Sequence, residues 1–191
     1  MENHSHKFEK KKAGVFFFKS SSPFEFHHIL NGVDIEPKEE IYGSLIFPEN
    51  VKHPCPAVIA VHGSAGLRGN HHDHIVNLLE AGIAVFRIHS FEARGLISII
   101  EDQMRVTLAT MITDSFRALS LLSQHPDIDP NKIGIMGWSL GGSTSFYSAW
   151  SPIVKALTVG DEKFSAHLPL YPGTHIKPEI NEWRCCAKTP H

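Results

Sequence analysis

At residues 132–136 the chain reads KIGIM, and it passes without a spacer into Gly137-Trp138-Ser139-Leu140-Gly141-Gly142. That junction constrains the fold more than any other stretch. A short apolar run is at home as a strand inside a sheet. Glycines two residues to either side of Ser139 lack the Cβ atoms that would collide in a sharp turn. Residues from about 140 to 150 then read as a helix, so a core strand turns directly into a helix, the joint from which layered α/β structures are built.

The rest of the chain repeats the theme. Strands are expected at 41–47, ended by Pro48, at 57–61 (AVIAV), continuously apolar as in a buried parallel strand, and at 83–88. A helix is expected from Asn70, a capping residue, with Ile75, Val76, Leu78 and Leu79 on one face and Gly82 at its end. The longest candidate helix covers 101–124, where Leu108, Met111, Ile112, Phe116, Leu119 and Leu122 recur at three- and four-residue spacing. Asp129-Pro130-Asn131 reads as a turn. Strands alternating with helices require right-handed crossovers, hence a mostly parallel sheet with helices on both faces. Residues 1–22 carry Lys7, Lys10, Lys11, Lys12 and Lys19 around only four consecutive apolar residues, too short for a signal-peptide core. They are read as a basic lead-in to one domain spanning 23–191.

Composition narrows the partners. With 18 Lys+Arg against 20 Asp+Glu the net charge is −2, which gives no sequence-wide drive toward nucleic acid or an anionic membrane. No window approaches the roughly 18 unbroken apolar residues of a membrane helix. Three cysteines, Cys55, Cys185 and Cys186, are too few for a disulfide scaffold and favour a reducing, cytoplasmic setting. The 14 histidines stand out, because full protonation would move the formal charge from −2 to +12.

Gly137-Trp138-Ser139-Leu140-Gly141 is a G-x-S-x-G match in the strand–turn–helix context that a nucleophile elbow requires. Ser139 is expected to stand above the sheet as a nucleophile. The Leu140 N–H, opening the next helix, faces the same spot, where the helix dipole favours negative charge. His62-Gly63-Ser64-Ala65-Gly66 follows the AVIAV strand, where a loop can supply a second oxyanion N–H from Ser64 or Ala65. Trp138, Arg94 and His62 are candidate substrate contacts, Arg94 for a carboxylate if it faces the carboxyl edge of the sheet. An ion pair of Arg94 with Glu92 or Glu101 is the plainer alternative. His71 and His74 can share a helix face, but without a H-E-x-x-H pattern they are read as a solvated first turn, and no metal or cofactor is expected. Trp150 is expected in the core, and Cys185-Cys186 as free thiols.

The chain resembles the dienelactone hydrolase family of α/β-hydrolases from about Phe24 onward, through HGSAG (62–66), SFEARG (90–95), EDQ (101–103), GWSLGG (137–142), SAW (148–150) and FSAHLPLYPG (164–173). The resemblance implies the α/β-hydrolase fold and a small ester or lactone as substrate, cleaved through an acyl-enzyme on Ser139. The family's name-giving members carry cysteine at the elbow, so Ser139 fits a general esterase better. In this fold the acid and then the histidine follow the serine along the chain. By the family's order both would come after 187–191, so the domain is expected to lack its last strands, the triad acid and the base, and to have little esterase activity. A second placement takes 155–160 as a strand, Asp161 as acid and His175 as base. The alternative class is a non-catalytic remnant that binds an acyl ligand, or a partner or second copy through an exposed sheet edge.

Overall fold

The computed structural model describes residues 13–174. Its strands are β1 (Gly14–Ser20), β2 (Glu39–Ile46), β3 (Cys55–Val61), β4 (Ala84–Ile88), β5 (Ile128–Trp138) and β6 (His167–Leu170). They form one sheet in the order β1-β2-β4-β3-β5-β6. β3, β4, β5 and β6 run parallel to one another, while β1 and β2 pair antiparallel with each other and β2 with β4. The helices are α1 (Phe26–Leu30), α2 (Gly69–Glu80), α3 (Leu108–Ser123), α4 (Leu140–Tyr147) and α5 (Ser151–Leu157), with a single 3-10 turn at Glu92–Arg94. This is the mostly parallel α/β sheet of an α/β-hydrolase fold, as expected.

Two-residue periodicity divides the core between the faces of the sheet. β3 sends Ala57, Ile59 and Val61 to one side, with Phe86 and Ile88 of β4 and Ile133 and Ile135 of β5, and there they meet α3, Tyr147 of α4, Trp150 and Ile153 of α5. Ala60, Val85, Met136 and Trp138 go to the other side, against Ile75, Leu78 and Leu79 of α2. Burying an Ile or Leu side chain contributes about 1.5–3 kcal/mol. The larger cluster therefore supplies most of the hydrophobic stabilisation.

Four expectations are corrected. Residues 14–20 are not a lead-in segment but strand β1, paired along its whole length with β2 from Gly14↔Leu45 to Ser20↔Glu39. Phe18 is 4% exposed and Phe17 57%, the alternation of a strand with one buried face. The long helix begins at Leu108 rather than 101, because the Thr107 side chain caps it by accepting from the Thr110 N–H. Asp129-Pro130-Asn131 lies within β5. The Asn131 N–H donates to Asp129 Oδ1, and the partner strand β3 shifts register between Cys55 and Ala57, so the turn chemistry is absorbed as an irregularity in the ladder. The helix after the elbow stops at Tyr147, and α5 starts with a proline in its first turn, so 155–157 are helical and the alternative strand at 155–160 does not form. The Cys185-Cys186 pair and the C-terminal histidines lie outside the described residues.

Candidate active site

The C-terminal ends of β3, β4 and β5 bring three connections to one edge of the sheet: the HGSAG loop, the passage from β4 to α3, and the elbow. At the elbow Ser139 has φ 53° and ψ −112°, a positive-φ conformation outside the left-handed helical well that costs an L-residue roughly 1–3 kcal/mol. It is exposed, between a fully buried Trp138 and a half-buried Leu140. The neighbouring glycines explain how the turn closes. A Cβ on Gly137 would land on the Gly141 carbonyl, and one on Gly141 on the Val61 carbonyl. The turn is tied down by the Ser139 N–H donating to Leu170 O at 3.0 Å and the Ser143 N–H to Ser139 O at 2.8 Å.

The HGSAG loop is clamped at two carbonyls. Gly63 O accepts from the Gly66 N–H at 2.9 Å and lies 3.1 Å from His62 Nδ1, which must therefore carry the proton. Ser64 O accepts from the Ile99 N–H at 2.9 Å and from Ser98 Oγ at 3.2 Å. In a trans peptide the N–H points opposite the C=O, so these bonds orient the Ser64 and Ala65 N–H groups away from their clamps. Among the described residues, neither of these N–H groups nor that of Leu140 donates to a protein acceptor. Three backbone donors thus go unpaired, that of Leu140 next to the exposed Ser139 with the helix dipole of α4 behind it. The loop bearing the other two comes close to the elbow, since a Cβ on Gly63 would stand 3.5 Å from Ser139 Cβ.

The other sequence candidates fall elsewhere. Arg94 does not offer its charge to the open edge, and its partners are neither Glu92 nor Glu101. Its guanidinium grips Asp114 of α3 at 2.9 and 3.1 Å and Glu39 of β2 at 2.8 Å. Although burial alone would lower the Arg94 pKa, the two carboxylates raise it. Asp114, fully buried, also accepts from Ser20 Oγ. Sequence reading missed it because it lies within the apolar periodicity of α3. Trp138 is buried rather than a pocket wall: its ring stacks on His71 with centroids 4.2 Å apart, and its Nε1–H donates to His74 Nδ1 at 2.8 Å. His71 and His74 therefore do share a helix face, but they grip the indole beneath the elbow, and His71, 5% exposed, is not solvated. His62 is 2% exposed, with its ring 4.2 Å from that of Phe91. It holds the loop rather than a substrate, and burial pushes its pKa down.

Of the three histidines that follow Ser139, His167 alone is among the described residues. Its Nδ1 is 2.9 Å from Ser145 O, and it pairs with Ile135, four residues before Ser139, so it sits roughly 13 Å down the strand from the elbow. Asp161 is exposed, and His175 lies outside the described residues. Ser44, His89 and Glu92 make a second serine–imidazole–carboxylate chain, at 2.9 and 3.6 Å. Ser44, however, is in mid-strand with partners on both sides, where no unpaired N–H remains to hold an oxyanion. Among the described residues there is no cluster of three or more metal-ligating side chains and no helix long and apolar enough to cross a membrane.

Comparison with known proteins places the chain. The sequence model of the dienelactone hydrolase family matches residues 41–182. YtaP of Bacillus subtilis strain 168, assigned as a hydrolase, is 24% identical over 138 residues, which are 61% of this chain and 46% of that protein. Among solved structures, Est1E from Butyrivibrio proteoclasticus superposes with a TM-score of 0.55 at 18% identity, over 83% of this chain and 51% of that one. A protein assigned to the dienelactone hydrolases from Klebsiella pneumoniae gives 0.57 at 18% identity, over 90% and 65%. The chain thus spans about half to two thirds of the length of these relatives.

Proposed function

The chain belongs to the dienelactone hydrolase family, and from that premise we propose that it is the nucleophile-bearing part of a serine hydrolase that cleaves a small carboxylic ester or lactone through an acyl-enzyme on Ser139. One observation carries the reading. The exposed Ser139, held at φ 53°, stands at the sheet edge where the unpaired N–H groups of Leu140, Ser64 and Ala65 are presented. Attack of Oγ on a carbonyl carbon moves negative charge to the carbonyl oxygen, and prealigned donors there stabilise the tetrahedral intermediate more than the ground state. Losing one such donor typically costs about 10²–10³ in rate.

A hydroxyl at neutral pH needs a base. The family's order calls for a histidine later in the chain than the described residues, and that imidazole would take the Oγ proton and return it to the leaving alcohol. The test is labelling by a fluorophosphonate, followed by mass spectrometry of the peptide carrying residue 139. Modification of Ser139, lost in Ser139→Ala, is the expected result. An unlabelled chain that is nevertheless stabilised against heat by an acyl ligand would replace the hydrolase reading with that of a binding protein.

A further inference from the structure

Between the 3-10 turn and α3, residues 96–106 run across the HGSAG loop. Ile99 anchors them: it is 2% exposed, and its N–H is the donor to Ser64 O at 2.9 Å. Val106 fastens the far end at 1% exposure. Contact with the loop is close, since a Cβ on Gly66 would stand 2.9 Å from Ile97 O. Yet from this fastened segment Ile97, Ile100 and Met104 project at 86%, 59% and 62% exposure. Single exposed apolar residues are ordinary on a soluble surface. Three large ones within eight residues, beside the unpaired N–H groups of a candidate oxyanion site, are a local concentration that the core does not use.

Charge says what this wall does not select. Arg94, the cation best placed to recognise an anionic substrate, is held by Asp114 and Glu39. The remaining charged side chains of the two connections, Arg68, Glu92, Glu101, Asp102 and Arg105, are exposed and of both signs, and ion pairs there contribute about 0–1 kcal/mol.

We infer that Ile97, Ile100 and Met104 form the specificity wall of the Ser139 site, and that the substrate is a neutral ester whose acyl group is an apolar chain of several carbons rather than a carboxylate-bearing lactone. The inference rests on Ser139 being the nucleophile. The full chain is treated with two p-nitrophenyl ethyl alkylphosphonates, methyl and hexyl. Ser139 Oγ bonds to phosphorus as p-nitrophenolate leaves, and the released chromophore counts labelled sites. Each rate is divided by that of hydroxide with the same probe. The hexyl probe is expected to label at least about tenfold faster, because each methylene removed from water is worth about fourfold. In the Ile97→Ser/Ile100→Ser/Met104→Ser variant that ratio falls to about one. Ile97→Ser alone, at a site with almost no burial to lose, should lower the ratio part of the way, and it serves if the triple variant misfolds. Equal normalised rates in the wild-type chain, or an undiminished ratio in the variants, overturn the wall while leaving the serine assignment intact. Labelling by neither probe removes the serine assignment and the wall with it.

Discussion

Ser139 carries strain that a glycine would not feel, while Gly141 is a glycine because nothing larger fits. The two residues are two places apart in one turn, and they respond oppositely to substitution. Gly141→Ala forces a methyl group onto the Val61 carbonyl and to within 2.7 Å of the His62 carbonyl, backbone atoms at the end of β3 and the start of the loop after it that cannot swing aside. It is expected to destabilise the chain by about 3 kcal/mol or more, at the upper end of single-residue effects. Ser139→Gly releases the φ 53° strain, which offsets the extra unfolded-state freedom of glycine. Its unfolding free energy is expected to stay within about 0.5 kcal/mol of wild type or to rise, while phosphonate labelling vanishes. Urea titrations of the two variants make the comparison, and similar losses in both would mean that the turn is not packed as described.

Connections, more than strands, set the chemistry at the scale of elements. The β4–α3 passage does two things: Ile99 and Ser98 clamp Ser64 O, and Arg94 ties the passage to β2 and α3 through Glu39 and Asp114. The Asp114 side chain is fully buried and that of Arg94 only 12% exposed, so removing one partner strands the other charge out of water. Asp114→Ala is therefore expected to cost about 3–5 kcal/mol, read as a lowered urea midpoint. Glu39→Gln, at a position 40% exposed, should cost much less. Equal effects would show that the buried arm of the network is no stronger than the exposed one. The network also explains why Arg94 was open to two readings in sequence. Its partners are 20 and 55 residues away, beyond the reach of local spacing.

For the whole molecule, the histidines return as a stability term. Burial holds His62, His71 and His167 below the ordinary imidazole value. A histidine lowered in the native state binds its proton more readily when unfolded, so the unfolded chain holds more protons below about pH 6.5, and stability falls as pH falls. These residues contribute their full stability above that value and lose it progressively below. Melting temperature should decline from pH 7 to pH 5, with a steeper slope than in a His167→Gln variant. A flat profile would mean that these imidazoles are not sheltered from water in solution. The 14 histidines thus bear on stability toward acid, and none among the described residues is placed as the base for Ser139.

Local pattern was enough for the alternation of apolar strands with helices, the parallel core and the elbow. Strand burial is written as contiguous Ile and Val, and the turn as glycines at fixed offsets from Ser139, so each signal is complete within about ten residues. β1 was legible in principle, through the alternation of Phe16 and Phe18 against Val15 and Phe17, but the surrounding lysines masked it. Tertiary structure alone decided that this strand joins β2, that Trp138 contacts both His71 and His74, that Arg94 is committed to Asp114, and that Ile99 holds the loop bearing Ser64. Each depends on which surfaces meet when distant segments pack, and no short window of sequence contains both halves of such a contact.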